Sequence, residues 1–192
     1  MSDWNTYYKK HSVRNPREQT VRAAALCSEK EHALDIGAGT LVESVFLLEN
    51  GFKKVTAVDS SPETATFAEG LDSERFSLQI SSYQDFEFPK HKYDLVNAQF
   101  ALPFYGEKDF GIFIEKIKDS LKPGGIFAGQ LFGIRDGWNI ESTKLAFQTN
   151  EEALHLLSGL ELIEFIEEEK EGTTAAGKSK HWHIFHFIGR KK

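Results

Sequence analysis

Short apolar runs alternate with stretches of helical periodicity along most of the chain. The apolar runs are rich in Val, Ile, Leu and Phe, and they predict strands at residues 33–36, 54–59, 76–80, 93–98 and 125–132. The periodic stretches predict helices at residues 17–26, 41–50, 62–70, 108–121 and 151–160. Such alternation is typical of an α/β fold, in which helices cover both faces of a mainly parallel sheet.

The last part of the chain has a different pattern. Residues 161–169 and 181–188 predict two strands, and the loop at 171–177 between them is too short for a crossover helix. We therefore expect an antiparallel hairpin at one edge of the sheet, with the glutamate-rich first strand facing solvent. We expect one domain over residues 1–192, with a leader and helix at 1–32 and the sheet and its helices at 33–192.

The composition is that of a folded, soluble domain. Hydrophobic residues make up 40% of the 192 residues and charged residues 27%. No apolar run approaches the roughly 20 residues of a membrane helix, and a single cysteine, Cys27, excludes an intrachain disulfide. We expect a cytoplasmic protein without a membrane partner. The net charge of −6, from 23 basic and 29 acidic residues, disfavours nucleic acid as a partner.

A glycine turn follows the first predicted strand. The strand enters Asp35-Ile-Gly-Ala-Gly39, and a predicted helix comes next. Small residues let the backbone approach a ligand closely, and a helix N-terminus offers unpaired N–H donors. The following strand ends in Asp59, about 20 residues after Gly37, where a carboxylate can accept both hydroxyls of a ribose. The alternative role of Asp59 is to cap the helix that begins near Pro62.

The turn departs from the pattern that binds dinucleotides. Gly-x-Gly-x-x-Gly requires a third glycine where this chain has Val42, and Glu43 in the first helical turn would repel a diphosphate. A ligand with a ribose but no phosphate fits these residues better. S-adenosylmethionine is such a ligand.

These motifs resemble those of the class I S-adenosylmethionine-dependent methyltransferases. Residues 35–39 resemble the first motif of that family and Val58-Asp59 the second, while residues 88–97 and 121–125 resemble the segments at its fourth and fifth strands. The resemblance covers residues 33–132. It implies a Rossmann-like, doubly wound, mostly parallel seven-stranded sheet of order 3-2-1-4-5-7-6, with an antiparallel last strand and helices on both faces. It also implies S-adenosylmethionine as cofactor and S-adenosylhomocysteine as product.

The resemblance assigns the cofactor contacts to one edge of the sheet. The glycine turn and Asp35 would surround the methionine moiety, Asp59 would hold the ribose, and Ser60 would lie against the adenine. The family often has an acid at the end of the third strand, where this chain has Ser82 and Tyr83. Asn97, Gln99 and Phe100 would border the transferring methyl group. The implied cofactor-binding residues are Tyr7, Asp35, Gly37, Ala38, Gly39, Asp59, Ser60, Ser82, Tyr83, Asn97 and Gln99.

The methyl acceptor is predicted to be a small molecule. Residues 97–100 lack the Asn/Asp-Pro-Pro-aromatic pattern of enzymes that methylate nucleobases and glutamine. Family members that methylate cytosine at C5 need a cysteine nucleophile, but Cys27 lies in a predicted helix far from the ligand edge. Methyl transfer needs alignment and a dry cavity more than a fixed base, so no catalytic triad or metal site is expected. The three histidines His181, His183 and His186 are not expected to form a metal site. On the predicted strand, His186 points to the face opposite that of the other two.

Two segments are expected to cover the ligand edge. The leader Trp4-x-x-Tyr7-Tyr8 resembles that of tellurite- and thiopurine-methylating enzymes, although its rings could instead pack on the helical layer. In the loop after the fifth strand, Arg135 could bind an anionic acceptor or pair with Asp136. The candidate catalytic residues are Tyr8, Gln99 and Arg135.

Two other functions stay open at this stage. The chain could methylate a protein or RNA group, which would require a basic or grooved surface near the leader. It could also be a catalytically silent cofactor-binding module that acts as a regulatory partner.

Overall fold

One mixed sheet runs through the part of the chain that the computed structural model describes, residues 14–174 and 177–192. Its strands are β1 (His32–Ile36), β2 (Lys54–Asp59), β3 (Phe76–Ile80), β4 (Tyr93–Ala98), β5 (Leu121–Gly133), β6 (Phe147–Gln148), β7 (Leu160–Thr173) and β8 (Ser179–Lys191). Their order is β3-β2-β1-β4-β5-β8-β7, and the two-residue β6 pairs with β5. The predicted order is confirmed, because β7 and β8 are the sixth and seventh predicted strands.

The strand directions also agree with the prediction. β1 to β5 pair in parallel, whereas β8 is antiparallel to both β5 and β7. The hairpin is longer than predicted, since β7 and β8 pair from Leu160 and Lys191 as far as Thr173 and Ser179. Consequently the start of β8 lies beside the end of β5, at the edge where the parallel strands end.

Helices cover both faces of the sheet. They are α1 (Glu18–Ala25), α2 (Val42–Glu49), α3 (Phe110–Ser120) and α4 (Asn150–Leu156). α1 and α2 pack on one face, where Ala24 and Leu47 join a buried apolar cluster with Leu95 of β4. α3 and α4 pack on the other face, where Phe113 belongs to a second cluster with Val96. The neighbouring residues Leu95 and Val96 of β4 pack into clusters on opposite faces of the sheet, so both positions are apolar.

The start of α4 shows how local sequence sets an element. Thr149 precedes the helix, and its hydroxyl accepts the Glu152 N–H at 3.2 Å while the Glu152 carboxylate accepts the Thr149 N–H at 2.8 Å. This reciprocal pair satisfies two N–H groups that the first turn leaves without helical partners.

The helix predicted at 62–70 is wrong in kind and length. The structure has a 3-10 helix at Pro62–Phe67. Thr64 and Thr66 are β-branched and have low helix propensity, and the Thr66 hydroxyl donates to the Glu63 carbonyl at 2.8 Å. Gly70 then adopts φ 81°, which ends the segment.

Two predictions on chain organisation extend beyond the described residues. The leader, including Trp4, Tyr7 and Tyr8, lies outside them, so one domain over residues 1–192 stays a prediction. None of the described helices has the length and apolar character that a membrane span requires.

Candidate active site

A cavity of about 1490 Å³ opens at the carboxyl ends of β1, β2 and β4. Most of the residues predicted to bind the cofactor line it together: Asp35, Gly37, Ala38, Gly39, Asp59, Ser60, Ser82, Tyr83 and Gln99. They come from four separate segments, and parallel strand directions bring those segments to one edge.

The glycine turn after β1 leaves no room for a side chain at Gly37. Gly37 and Gly39 have φ values of 68° and 52°, which glycine adopts without strain. A Cβ on Gly37 would lie 2.5 Å from the Cβ of Ala101 and 2.8 Å from the Tyr83 hydroxyl oxygen. The turn therefore needs glycine at position 37 both for its conformation and for its packing.

The Asp59 carboxylate is fixed in place at the end of β2. It accepts the Gly39 N–H at 2.8 Å and the Ser61 N–H at 2.9 Å, and the residue is 8% exposed. These bonds join the ends of β1 and β2. The Ser61 bond resembles the capping role considered for Asp59, but the Gly39 bond ties the carboxylate to the glycine turn. A carboxylate can accept about four hydrogen bonds, so these two bonds are compatible with a role in binding a ligand in the cavity that Asp59 lines.

Asp35 is a buried acid below the glycine turn. It is 2% exposed, and it accepts the Ser44 hydroxyl at 2.7 Å and the Asn97 amide at 2.8 Å. Burial, aided by the nearby negative charge of Glu43, raises the pKa of Asp35 to about 7. Asn97 is fully buried and also accepts the Thr20 hydroxyl, so it supports Asp35 from beneath the cavity rather than lining it.

The stability of the protein should depend on pH through Asp35. Its folded pKa lies above its unfolded value, so the folded state keeps the proton longer and loses stability as pH rises toward 7. Relative to Asp35→Asn, the wild type should lose about 2 kcal/mol of unfolding free energy between pH 5 and pH 7. Urea denaturation of both proteins across this range measures the difference. A difference that does not change with pH contradicts the assigned pKa.

A hydrogen-bond network positions the segment after β4. Phe100 adopts φ 56°, and its N–H donates to the Gln130 side chain at 2.6 Å. Gln130 donates in turn to Gln99 at 3.0 Å, and Gln99 donates to Asn97 at 2.9 Å. Gln130, on β5, thus holds Gln99 and Phe100, two of the three residues predicted to border the methyl group. This role of Gln130 was not predicted from the sequence, although a buried glutamine within an apolar strand is a usable signal.

Glu43 is less available to repel an anion than its place in the sequence suggests. It is 4% exposed, and its carboxylate accepts the Arg14 guanidinium at 2.6 Å and the Arg17 N–H at 3.2 Å. Val42 therefore disfavours a diphosphate at this turn more than Glu43 does.

The structure does not bring Arg135 to the cavity. Its guanidinium donates to Glu169 at 2.9 Å and to Glu167 at 2.8 Å, and the residue is not among those that line the cavity. The alternative pair with Asp136 does not form either, because Asp136 pairs with Lys180. Arg135 thus lies at the glutamate-rich strand β7, whose carboxylates neutralise its positive charge. The predicted roles of Tyr7 and Tyr8 fall outside the described residues.

Cys27 lies far from the cavity, as expected. Its thiol contacts the carbonyl oxygens of Ala23 and Asp94, near the start of β4. Burial raises the pKa of Cys27 to about 12, so the thiol is almost entirely protonated at neutral pH. His183 and His181 pair with glutamates on one face of β7, and His186 with Glu168 on the other.

Comparison with protein families agrees with this geometry. The family described as a methyltransferase domain matches residues 34–129, which include the glycine turn, Asp59 and the β4 segment. The chain belongs to this family. The resemblance to class I S-adenosylmethionine-dependent methyltransferases, with S-adenosylmethionine as cofactor, is thereby confirmed.

Two curated methyltransferases are related in sequence. The "Sphingolipid C9-methyltransferase" of Komagataella phaffii is 24% identical over 153 residues, which are 73% of this chain and 31% of that protein. The "Alpha N-terminal protein methyltransferase 1" of Dictyostelium discoideum is 37% identical over 102 residues, which are 49% of this chain and 36% of that protein. The chain spans about a third of the length of these relatives.

Solved structures share the fold. TehB from Haemophilus influenzae aligns with a TM-score of 0.77 at 20% identity, over 97% of this chain and 66% of that one. A Burkholderia thailandensis 1,6-didemethyltoxoflavin-N1-methyltransferase, with 1,6-didemethyltoxoflavin and S-adenosylhomocysteine bound, aligns with a TM-score of 0.66 at 21% identity, over 92% of this chain and 77% of that one.

An aromatic wall lines the half of the methyltransferase cavity that faces β8. We use this name for Phe100, Phe104, Phe132, Trp138 and Trp182, which all line the cavity. Neighbouring rings pack at centroid distances of 5.5 to 6.4 Å in edge-to-face or tilted contacts. Of these segments, only the loop after β5 was predicted to cover the ligand edge, and Trp182 was not predicted.

Proposed function

We propose that this chain binds S-adenosylmethionine at the carboxyl ends of β1, β2 and β4 and transfers its methyl group to a small-molecule acceptor beside the aromatic wall. The observation that carries the proposal is the Asp59 carboxylate, held by the Gly39 and Ser61 N–H groups at the edge of the cavity. A carboxylate at the end of this strand suits the two hydroxyls of a ribose.

The other cavity residues fit the same ligand. Gly37 packs against Ala101 and Tyr83 too closely for any side chain, and a turn of such small residues lets the ligand's methionine moiety lie against the backbone. Ser60, Ser82 and Tyr83 line the region next to Asp59 and would contact the adenine. Asn97 would act through Asp35 and Gln99, since it is buried below the surface.

The chain's contribution to the reaction is alignment and exclusion of water. When bound, S-adenosylmethionine supplies a methyl group on a positively charged sulfur. The sulfur is the leaving group and keeps the carbon–sulfur electron pair. Gln130 holds Gln99 and Phe100 where they border this methyl group. The aromatic wall keeps water from the opposite side of the cavity, so that an acceptor held there attacks in line.

A small-molecule acceptor is favoured by the form of the cavity. The aromatic wall is recessed between β5, β8 and the segment after β4 rather than spread over a flat surface. The related protein methyltransferase makes a protein N-terminus the second candidate acceptor. Incubation with labelled S-adenosylmethionine and either a panel of small aromatic compounds or N-terminal peptides distinguishes the two.

Calorimetric titration with S-adenosylmethionine tests the cofactor site. Removing the carboxylate in Asp59→Ala should weaken binding about 30-fold, because hydrogen bonds to a charged group contribute roughly 1.5–3 kcal/mol. Asp72→Ala is the matched control, since the Asp72 carboxylate also accepts a backbone N–H, that of Glu74, but in an exposed turn. Unchanged binding in Asp59→Ala, or no binding by the wild type, counts against the proposal.

A further inference from the structure

The aromatic wall and the cofactor-site residues share one cavity. Phe100 follows β4 directly, and Trp182 lies 6.2 Å from it between ring centroids. Trp138 lies 5.5 Å from Trp182, so the wall continues from the predicted methyl position toward the hairpin. All of these rings except Phe132 are only partly buried, and their exposed portions face the cavity. Partly exposed rings at this spacing offer flat apolar surface to a planar ligand.

A buried cation stands within the wall. The Lys180 ammonium lies 3.3 Å from the ring centroid of Trp182 and 4.0 Å from that of Trp138. Its side chain is 2% exposed and pairs at 2.7 Å with Asp136, which is fully buried. The positive charge therefore already occupies the electron-rich faces of these rings, and a cationic acceptor would compete with it.

A second cation lies at the other end of the wall. The Arg17 guanidinium stacks over Phe100 at 4.6 Å and lines the cavity. Within residues 14–174 and 177–192, it forms no ion pair, and its buried Nε has no hydrogen-bond partner. A guanidinium in this state is suited to bind a carboxylate or another planar anion.

We propose that the acceptor is a planar aromatic compound carrying a negative charge, which stacks on the aromatic wall and pairs with Arg17. The proposal rests on the proposed function for the identity of the reaction, but not for the binding of the compound. A lone pair of the acceptor forms the new bond to the methyl carbon while the carbon–sulfur pair returns to sulfur. A proton on the attacking atom, where the acceptor carries one, leaves to water.

Calorimetry with three probes tests the charge and the shape of the ligand. The probes are 2-naphthoate, 2-naphthylmethylamine with the same ring and opposite charge, and cyclohexanecarboxylate with the same charge and no aromatic ring. Each is titrated into the protein with and without saturating S-adenosylhomocysteine. We expect 2-naphthoate to bind at least about tenfold more tightly than either of the others.

Substitutions then locate the binding. Trp182→Leu should weaken 2-naphthoate binding about tenfold, and Trp182→Phe should restore most of it. Arg17→Gln should weaken 2-naphthoate about tenfold without changing the affinity for the amine. Phe165→Leu and Arg190→Gln are matched controls, because Phe165 packs on Phe185 away from the cavity and Arg190 faces Glu161.

Each outcome decides one of the two proposals. If 2-naphthylmethylamine binds as tightly as 2-naphthoate, or 2-naphthoate does not bind, the proposal of an aromatic anion as acceptor is wrong. Unchanged affinity in Arg17→Gln also overturns it, and this variant decides the matter even if Trp182→Leu fails to fold. If S-adenosylhomocysteine does not bind the wild type, the proposed function fails, whereas the titrations without it still test the wall.

Discussion

Removing the carboxylate of Asp136 should destabilise the protein by about 3–5 kcal/mol. The Asp136 and Lys180 side chains are 0% and 2% exposed and lie 2.7 Å apart. Burial lowers the pKa of Lys180 and Asp136 opposes that shift. In Asp136→Ala the ammonium would remain buried without its partner, and the N–H groups of Trp138 and His183 would lose their acceptor. Urea denaturation measures the loss.

The pH dependence of this loss identifies its cause. Without Asp136, the folded pKa of Lys180 falls further below its unfolded value, so stability should recover as pH rises toward 9. Lys180→Met is the matched variant, and it should cost less than half as much because Asp136 keeps its two N–H donors. A loss in Asp136→Ala below about 1 kcal/mol would contradict the importance of the pair.

Adding one methyl group at Gly37 should impair both folding and cofactor binding. In Gly37→Ala the new Cβ would meet Ala101 at 2.5 Å and the Tyr83 hydroxyl at 2.8 Å, at a φ of 68°. We expect a loss of about 2–4 kcal/mol in unfolding free energy. The turn must shift to relieve the contact, so S-adenosylmethionine affinity should fall about 100-fold in the fraction that folds.

A substitution at a second glycine separates the cost of backbone strain from the cost of steric contact. Gly159 has φ 85°, and a Cβ added there would have no atom within 4 Å. Gly159→Ala should therefore cost only the backbone strain of about 1–2 kcal/mol. Equal losses in the two variants would show that the contacts of Gly37 are unimportant. Thermal unfolding and calorimetry on both variants supply the comparison.

The strands were predictable because the buried sheet leaves a strong signal. β4 is buried at all six positions, and successive apolar residues such as Leu95 and Val96 mark a strand that is covered on both faces. The shared location of Asp59 and the turn after β1 was predictable because parallel strands end at one edge of the sheet, where ligands bind. The 3-10 helix at Pro62–Phe67 was not, because periodicity does not distinguish one short turn from a helix.

The acceptor side of the cavity depends on contacts distant in sequence. Arg135 is a good anion-binding residue by type, but only the β7–β8 pairing shows that Glu167 and Glu169 already hold it. Arg17 has no local motif, and its position over Phe100 follows from how α1 lies on the sheet. Trp182 could have been placed from the predicted hairpin alone, because an antiparallel last strand begins where the parallel strands end.

A crystal structure with S-adenosylhomocysteine tests the central claim most directly. We predict that both ribose hydroxyls lie within hydrogen-bond distance of the Asp59 carboxylate and that the sulfur faces Gln99 and Phe100. The side of the sulfur that carries the methyl group in S-adenosylmethionine should face the aromatic wall. A ribose held away from Asp59, or a sulfur that faces away from the wall, would contradict the account.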